Sequence, residues 1–480
     1  MKKTAVFIDT MSIQKYIFSS NSLKENIGAS FLVKQLFEKL KNQFEYSYIG
    51  GGNALLYFEN ETEAKEEMKK WSKEALIKYP GITPVIVIEN EFDIGTFAES
   101  RTQIIQKLLK QRNEFIPITT LSSFGFTTEC PRTGLSSEIY LNKNITQEDF
   151  NYVSSQSYAK IQASEKANVE LENKFRTSSD GKEFPDQLDK LGGSKGENNH
   201  IAIVHIDGND MGDKFKGMTT EKELKDFSQG LEKATENSFK EMLEKGINDF
   251  DEISRELNIE ENCLPLRPII IGGDDITFVC DSRLALYLSY HFIKAFENQK
   301  ICRENKLTAC AGISIVKTKY PFYRAYKLAE ELCSNAKKER KNNTIYNDTD
   351  SLIDFHISFG GLGNNLAEIR ENNYISSDGE RLYKKPYSLK EIPTFLNCLN
   401  ELIKLPQGKV EKLREVLHEG KTATEKFIKE LKFRGKELPK FSNIDETETG
   451  FTESITPYLD MIEMIDFCPE FFREQEVNNE

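Results

Sequence analysis

Apolar runs alternate with short polar turns in the middle of the chain. Residues 269–279 place two such runs, both rich in β-branched side chains, on either side of Gly272-Gly273-Asp274-Asp275. Two runs of this kind joined by a glycine-rich turn predict a β-hairpin. The turn carries two adjacent carboxylates, and a rigid hairpin that presents carboxylates is well suited to hold a divalent metal ion.

A second apolar run lies upstream, at residues 201–206, and ends in Asp207. The sequence Gly208-Asn209-Asp210-Met211-Gly212 follows, so the pattern predicts a strand that leads through a turn into a helix. If this strand pairs with the hairpin, Asp207 lies beside the acidic pair and supplies the further carboxylate that a two-metal site needs. The amides of the turn would face the same spot, as at a helix N-terminus that receives phosphate.

A third apolar run, at residues 308–316, is followed by the periodicity of an amphipathic helix from about Phe322 to Arg340. Lys337 and Lys338 lie near the end of this helix. These lysines could reach a triphosphate, although a basic helix C-terminus is equally expected from the helix macrodipole. Sheet, carboxylates and basic helix together predict a palm domain.

The same order of elements occurs near the N-terminus, in a strand at residues 5–9, a glycine-rich hairpin at 48–58, a strand at 84–89 and a helix at 96–110. In this copy we align Asn53-Ala54 with Asp274-Asp275. Without the two acids it should not hold two metals, so we expect a degenerate palm that contacts a nucleotide through Gly51, Gly52 and Asn53. An unrelated α/β domain with a glycine-rich hairpin remains the alternative.

Composition sets further bounds. The chain has 480 residues, 38% of them hydrophobic, which is enough for two or three domains with their own cores. No apolar run is long enough to span a membrane, so we expect a cytoplasmic protein without a membrane partner. The 8 cysteines include no Cys-x-x-Cys pair and indicate buried thiols in a reducing compartment. The net charge of −13 argues against broad non-specific binding to nucleic acid.

These patterns predict four segments. The first palm occupies 1–120, a connector 121–199, the second palm 200–360 and a helical C-terminal domain 361–480. Polar, glycine-rich runs at 191–199 and 360–365 are expected to be loops that end the connector and the second palm.

The C-terminal domain contains a basic stretch, residues 404–440. It predicts either a docking surface for RNA or a partner subunit, or a solvated amphipathic helix pair with Leu413, Leu417, Phe427 and Leu431 on its buried face. The acidic stretch at 444–453 is expected to be an exposed loop.

The chain resembles the large palm-domain subunit of type III CRISPR effector complexes, the oligoadenylate synthase of those systems. Four stretches carry the resemblance: residues 12–18 with 27–30, residues 205–212, residues 272–275, and residues 311–337. The resemblance implies an α+β fold of two ferredoxin-like palms, the first degenerate. It also implies ATP or another nucleoside triphosphate as substrate, and it implies CRISPR-type small subunits and guide or target RNA as partners.

For the site, we expect two-metal nucleotidyl transfer in the second palm. Asp207, Asp274 and Asp275 would be catalytic, and with the Gly208 carbonyl they would hold two Mg²⁺ or Mn²⁺ ions. Further contacts with nucleotides are expected from a larger set of residues. These are Asn209, Asp210, Met211, Gly212, Gly272, Gly273, Lys337 and Lys338, together with Gly51, Gly52 and Asn53 of the first palm.

The chain also departs from that family. It has 5 histidines and no His-Asp dipeptide, so we expect none of the nuclease activity that an HD domain supplies. Only Cys130 lies between the palms where many members have paired cysteines, so we expect no zinc. Two other functions stay open: a non-catalytic, RNA-sensing scaffold of a ribonucleoprotein, and a diguanylate-cyclase-like enzyme that uses GTP.

Overall fold

A computed structural model describes residues 2–114, 125, 127–141, 152–191, 199–259, 261–301, 306–342, 345–358, 365–442 and 444–477. Most of the two glycine-rich runs expected to be loops, at 191–199 and 360–365, lies outside these residues. No helix in the described ranges is both long enough and apolar enough to cross a membrane.

The first palm is a four-stranded antiparallel sheet with helices. Its elements are β1 (Lys2–Met11), α1 (Ile13–Ile17), α2 (Leu23–Gln43), β2 (Glu45–Gly50), β3 (Asn53–Phe58), α3 (Glu61–Lys78), β4 (Thr83–Asp93) and α4 (Phe97–Glu114). The strand order is β2-β3-β1-β4. A short pair, β5 (Ile139–Tyr140) and β6 (Tyr152–Val153), and the long helix α5 (Ser155–Phe175) follow.

The second palm repeats this arrangement with longer helices. Its elements are β7 (His200–Gly208), α6 (Met211–Gly217), α7 (Glu221–Asn248), α8 (Phe250–Leu257), β8 (Leu266–Gly272), β9 (Asp275–Asp281), α9 (Ala285–Asn298), β10 (Ala309–Lys317), α10 (Phe322–Asn342) and β11 (Leu352–Ile357). The C-terminal part adds α11 (Leu366–Asn373), β12 (Tyr387–Ser388), α12 (Ile392–Ile403), α13 (Gln407–Glu419), α14 (Lys421–Phe433), α15 (Ile444–Thr449), α16 (Tyr458–Met464) and α17 (Glu470–Val477).

The order of strands in the second sheet is β12-β11-β10-β7-β9-β8. Its last four strands reproduce the order of the first sheet, with β7 in the place of β1 and β9 in the place of β3. β11 pairs in parallel with β10, and β12 lies antiparallel to β11. The predicted α+β fold with two related palms is confirmed.

Strand register corrects the expected alignment of the two hairpins. Asp9 pairs with Asn53 in the first sheet, and Asp207 pairs with Asp275 in the second. Gly52 therefore corresponds to Asp274, and Asn53 corresponds to Asp275. The expected alignment of Asn53-Ala54 with the acidic pair is wrong by one residue, because sequence alone gives no register in a run of three glycines. The first palm still lacks both acids of the second.

The two palms share a hydrophobic core. Residues of α1 and α2 pack against the face of the second sheet that carries Ile203 and Val279. Phe18 stacks on Tyr326 of α10 with ring centroids 3.8 Å apart. The Asn21 side-chain oxygen accepts a hydrogen bond from the Phe322 backbone N–H at 2.9 Å, so a loop of the first palm caps the helix that carries Lys337.

The C-terminal helices are tied to the second palm by buried charge. Lys385 is 1% exposed and lies 3.3 Å from Asp460 and 3.2 Å from Glu463. Asp460 also accepts a hydrogen bond from the Tyr387 hydroxyl at 2.8 Å. Because removal of one partner would leave a buried charge unpaired, this cluster fixes the tail on the sheet.

The basic helix pair is confirmed as amphipathic, because Leu413, Leu417, Phe427 and Leu431 are all buried. The expectation of an exposed acidic loop is wrong. Residues 444–449 form α15, and the buried Glu446 accepts hydrogen bonds from the backbone N–H groups of Phe441 and Ser442, both at 3.0 Å. A single acidic side chain that satisfies backbone donors turns a polar stretch into a packed element.

Candidate active site

Asp207 lies at the end of a central strand. It is the penultimate residue of β7, paired with Asp275 on one side and Cys310 on the other. The chain then turns through Asp210, which adopts a left-handed backbone (φ 58°), and enters α6. Asp207 therefore projects from a fixed strand while the next residues curve away, as the sequence predicts.

The turn of the hairpin interlocks with the end of β7. The Gly208 N–H donates to the Asp274 carbonyl at 3.0 Å. A Cβ at position 208 would lie only 2.9 Å from the Asp274 Cβ, so a side chain would force the two segments apart. Gly273 has φ +62°, and its carbonyl accepts a hydrogen bond from Thr235 of α7 at 2.6 Å. Glycine at 208 and 273 therefore places the Asp274 carboxyl group against Asp207.

A cavity of about 400 Å³ opens at this point. Its lining residues are Asp207, Gly208, Asp210, Met211, Gly212, Asp213, Asp274, Lys337, Lys338, Arg340 and Lys341. We call the Asp207 and Asp274 carboxyl groups with the Gly208 carbonyl its acidic side, and the basic side chains of α10 its basic side. Lys337 joins the two sides, since its Nζ lies 2.7 Å from Asp207 Oδ2 and donates to the Gly208 carbonyl at 2.8 Å.

The electrostatics of this pair of acids are unusual. Burial, followed by the negative charge of Asp207, raises the pKa of Asp274 to about 7. Burial opposes the charge on Lys337, but Asp207 outweighs it and raises the pKa of that lysine. Lys337 thus pairs with Asp207, while Asp274 lies beside that carboxylate without a cation of its own among the causes that set its pKa.

Asp275 points elsewhere. Its Oδ1 lies 3.3 Å from His205 Nδ1, and that nitrogen is also 3.1 Å from the Thr277 hydroxyl. Burial opposes protonation of His205, but the Asp275 charge outweighs it and raises the pKa of the imidazole. The ring of Tyr326 packs edge-on against His205 at 5.7 Å. Asp275 is therefore not among the residues that line the cavity.

The oxygen atoms on the acidic side fit a hard divalent cation. Asp207, Asp274 and the Gly208 carbonyl provide the kind of ligands that Mg²⁺ and Mn²⁺ prefer, and the Lys337 ammonium group already bridges two of them. In the described part of the chain no three His, Cys, Asp or Glu side chains are grouped as a preformed metal site.

The residues expected to contact nucleotides are divided by the structure. Asp210, Met211, Gly212, Lys337 and Lys338 line the cavity, whereas the hairpin glycines at 272 and 273 do not. Asn209 is also directed away from it. This residue is 1% exposed, and its side chain donates to the Thr308 hydroxyl at 3.1 Å. It therefore anchors the turn to the chain that enters β10.

Sequence reasoning missed Arg340 and Lys341. Arg340 is buried and donates to Asp210 Oδ2, and Lys341 Nζ lies 2.8 Å from Asp210 Oδ1. The spacing of Lys337, Arg340 and Lys341 at i, i+3 and i+4 would have indicated that all three share one face of the helix.

The matching position in the first palm is self-contained. Asp9 Oδ2 lies 2.9 Å from Arg112, and the Asn53 amide, oriented by its partners, donates to Asp9 Oδ1. Burial raises the pKa of Asp9, and Arg112 opposes that shift. Arg112 is fifteen residues after Phe97, the first residue of α4, and Lys337 is fifteen residues after Phe322, the first of α10. The two cations are thus structural equivalents.

Gly51 and Gly52 differ in their surroundings. A Cβ on Gly51 would meet open space, but one on Gly52 would lie 2.0 Å from Ile13 Cδ1. Both have positive φ, at +59° and +82°. Among the described residues, a further open depression of about 520 Å³ lies beside Lys107 and Lys110 on α4 and β4, without paired carboxylates.

Comparison with known proteins agrees with this geometry. Residues 200–346 match the family model of the Cas10/Cmr2 second palm domain. No curated protein sequence matches the chain.

Similar solved structures include a Csm1-Csm4 cassette in complex with pppApApA, at 15% identity, covering 97% of this chain and 69% of that one, with a TM-score of 0.60. The cassette in complex with cA4 is 13% identical, covers 100% and 69%, and has a TM-score of 0.58. Csm1 in T. onnurineus is 13% identical, covers 99% and 69%, and also scores 0.58. The predicted resemblance is confirmed: residues 200–346 are similar to the Cas10/Cmr2 second palm domain, and the fold of the chain is similar to that of Csm1.

Proposed function

We propose that this protein is a metal-dependent nucleotidyltransferase that converts ATP into a cyclic or linear oligonucleotide, a second messenger of type III CRISPR-like antiviral defence. One observation carries the proposal. The Asp207 and Asp274 carboxyl groups and the Gly208 carbonyl share a cavity with four basic side chains of α10, inside the segment that matches a Cas10/Cmr2 second palm. Acids for metal and cations for phosphate thus face one another.

Adenine nucleotides are the favoured substrate class. The similar Csm1-Csm4 structures were solved with AMPPNP, pppApA, cA3 and cA4. These ligands belong to those proteins, which are 13–15% identical to this chain. They support, for this chain, ATP as donor and adenylate oligomers as products.

The roles of the residues follow from their positions. Asp207, Asp274 and the Gly208 carbonyl would hold divalent ions, with Asp275 joining them by rotation away from His205. When bound, such ions stabilise negative charge on the attacking and leaving oxygens of an in-line displacement at phosphorus. A ribose hydroxyl would attack the α-phosphorus of ATP and release its proton to solvent, the bond from that phosphorus to the bridging oxygen would break, and pyrophosphate would leave.

The side chains of α10 would bind the leaving group. Lys337 contacts the acidic side from the basic helix. Its ammonium group would therefore stabilise the negative charge that develops on the departing oxygen. Lys338 has no ion-pair partner among the described residues and is available for the outer phosphates. The first palm would hold the acceptor nucleotide, since it keeps the scaffold and lacks both extra acids.

The test is pyrophosphate release from ATP with Mg²⁺ or Mn²⁺, alone and with added single-stranded RNA as a candidate activator. The matched variant is Asp274→Asn/Asp275→Asn, which removes charge and keeps side-chain shape. Turnover by the wild type and its loss in the variant support the proposal. Wild-type turnover in the double variant would contradict it, and GTP preferred over ATP would favour the diguanylate-cyclase-like alternative.

A scaffold function has one observation in its favour. The exposed face of α14 and the residues after it carry Lys426, Lys429, Phe433 and Lys436. Phe433 is 92% exposed, and these lysines have no ion-pair partner within the described ranges. An exposed aromatic ring among free cations suits RNA or an acidic partner subunit. Copurified nucleic acid together with absent turnover would favour this function over catalysis.

A further inference from the structure

The cations of the catalytic cavity fall into two groups with different partners. Lys337 contacts Asp207 and the Gly208 carbonyl, as described above. Arg340 and Lys341 instead share the carboxylate of Asp210, with Arg340 Nη2 on one oxygen and Lys341 Nζ on the other. The basic side of the cavity therefore contains an anion supplied by the protein itself.

Arg340 is held in place independently of that anion. Its side chain is 1% exposed, its Nη1 donates to the backbone carbonyl of Asp348, and the exposed carboxylate of Asp348 lies 3.8 Å from that nitrogen. A guanidinium group in such a position needs a negative partner, because an unpaired buried charge is costly. The position of Arg340 is thus fixed, while the identity of its anionic partner is open to exchange.

Asp210 is free to give up these contacts. It precedes α6 in a turn with φ 58°, and its side chain makes no capping hydrogen bond to that helix. Its carboxylate is 31% exposed on the wall of the cavity. Burial alone would raise its pKa, but hydrogen bonds from Lys341 and Arg340 outweigh burial and lower it.

A phosphate group binds to the same hydrogen-bond donors as this carboxylate. Both present oxygen atoms with negative charge to the N–H groups of arginine and lysine, and arginine binds either one through paired hydrogen bonds. The two anions cannot use the same N–H groups at once. A phosphate that enters the basic side must therefore displace Asp210.

We propose that Asp210 is an internal competitor of pyrophosphate: it occupies Arg340 and Lys341 when the cavity is empty, yields them to the outer phosphates of the substrate, and regains them as pyrophosphate departs. This inference rests on the proposed function for its biological sense. Asp210 would weaken the binding of the leaving group and so speed product release. It is a positioning residue and neither a metal ligand nor a contact of the nucleotide.

The test uses inorganic pyrophosphate as the ligand, by titration calorimetry on the full chain in EDTA, so that neither metal nor turnover is needed. Asp210→Asn removes the charge, and asparagine tolerates the left-handed backbone at this position. The variant should bind pyrophosphate about five- to tenfold more tightly than wild type, as expected when one nearby like charge is removed.

Asp213→Asn is the matched control. Asp213 lines the same cavity and is paired with the exposed Lys216 at 3.0 Å, so its loss changes net charge equally without freeing Arg340. Its affinity for pyrophosphate should stay within about twofold of wild type. Adding Lys341→Gln to Asp210→Asn should return the affinity toward the wild-type value.

Several results would overturn the inference. Unchanged or weaker binding by Asp210→Asn would mean that Asp210 orients Arg340 instead of competing for it, and equal gains in both Asn variants would reduce the effect to net charge. Absence of pyrophosphate binding by every variant would also overturn it. If Asp210→Asn fails to fold, Lys341→Gln alone decides, because it must weaken pyrophosphate binding.

ATP turnover tests the proposed function separately from pyrophosphate binding. Tighter pyrophosphate binding without any ATP turnover would support the anion exchange at Asp210 and contradict the proposed synthase activity. With turnover present, Asp210→Asn should also be inhibited by lower concentrations of pyrophosphate.

Discussion

The two palms place equivalent strands and an equivalent helix around sites that differ in the number of carboxyl groups. In the first, the Asp9 carboxylate meets Arg112 and the Asn53 amide, so one acid faces one cation and a neutral donor. In the second, Lys337 pairs with Asp207, and Asp274 adds a second carboxyl group beside that pair. A site whose single acid is already paired with a cation of the protein attracts a metal ion weakly, whereas a site with two neighbouring carboxyl groups favours metal binding.

The largest difference arises at a single position of the hairpin. Gly52 of the first palm corresponds to Asp274 of the second, as the strand registers show. At the first site a Cβ would lie 2.0 Å from the end of the Ile13 side chain, so a side chain there requires Ile13 to move. At the second site the same position carries the buried acid. The first site therefore has no acid at this position, whereas the second site has the additional carboxyl group of Asp274.

Of the two hairpin acids, we expect Asp274→Asn to have the larger effect. Loss of its charge should lower kcat for pyrophosphate release about a thousandfold, because it removes charge stabilisation at the reacting phosphate. Asp275→Asn should cost less, about tenfold, since Asp275 contacts His205 outside the cavity and has to leave that contact before it can bind a metal ion. Steady-state kinetics on both variants, at equal metal concentration, measure the contrast. A greater loss in Asp275→Asn would reverse the assignment of the two acids.

Gly52→Ala sharpens the comparison through stability. The new Cβ would meet Ile13 on a backbone with φ +82°, so we expect a loss of about 2 to 3 kcal/mol in the free energy of unfolding. Gly51→Ala meets open space and should cost about 1 kcal/mol, from backbone strain alone. Urea denaturation of both variants provides the test. Equal costs would mean that Ile13 yields, and that the first hairpin has room for an acid.

The pH dependence of stability should differ between Asp274→Asn and wild type. Burial and the neighbouring Asp207 raise the pKa of Asp274 from its ordinary value of 3.8 to about 7 in the folded protein. Between about pH 4 and pH 7 the unfolded chain has lost this proton and the folded protein keeps it, so wild-type stability falls as pH rises through that window. The variant lacks this loss and should gain on wild type by on the order of 4 kcal/mol across the window.

This measurement needs EDTA throughout, because a bound cation would lower the pKa of Asp274. Urea midpoints at pH 4.5, 6 and 7.5 suffice. Parallel curves for the two proteins would show that the pKa of Asp274 is not raised in the folded protein. They would contradict the claim that burial and Asp207 disfavour its charged form. In the first palm the equivalent position is Gly52, which contributes no such dependence.

The strands and the basic helix were predictable because buried strands and amphipathic helices impose strong periodicity. The convergence of Asp207 and Asp274 was predictable as well, since both lie at ends of apolar runs. Strand register was not, because Gly50, Gly51 and Gly52 offer no side chain to distinguish one pairing from the next. The correspondence of Gly52 with Asp274 therefore required the structure.

Side-chain direction was the second gap. Nothing in the sequence shows that Asp275 turns to His205, or that Asn209 anchors the turn to Thr308. Arg340 was overlooked because a basic helix end has an ordinary explanation in the helix macrodipole. Its burial against Asp210 is a tertiary fact, and it changes the expected contact of Asp210 with nucleotide into a contact with the cations that would bind phosphate.

The most direct test of the account compares Asp207→Ala with Asp9→Ala, which occupy matching strand ends in the two palms. Steady-state kinetics of pyrophosphate release should show Asp207→Ala without measurable turnover. Asp9→Ala should raise KM for ATP more than it lowers kcat, since it alters only the site proposed for the acceptor. Circular dichroism establishes that both variants are folded. Complete and equal loss of kcat in both folded variants would mean that the first palm is a second catalytic centre, and would contradict the central claim.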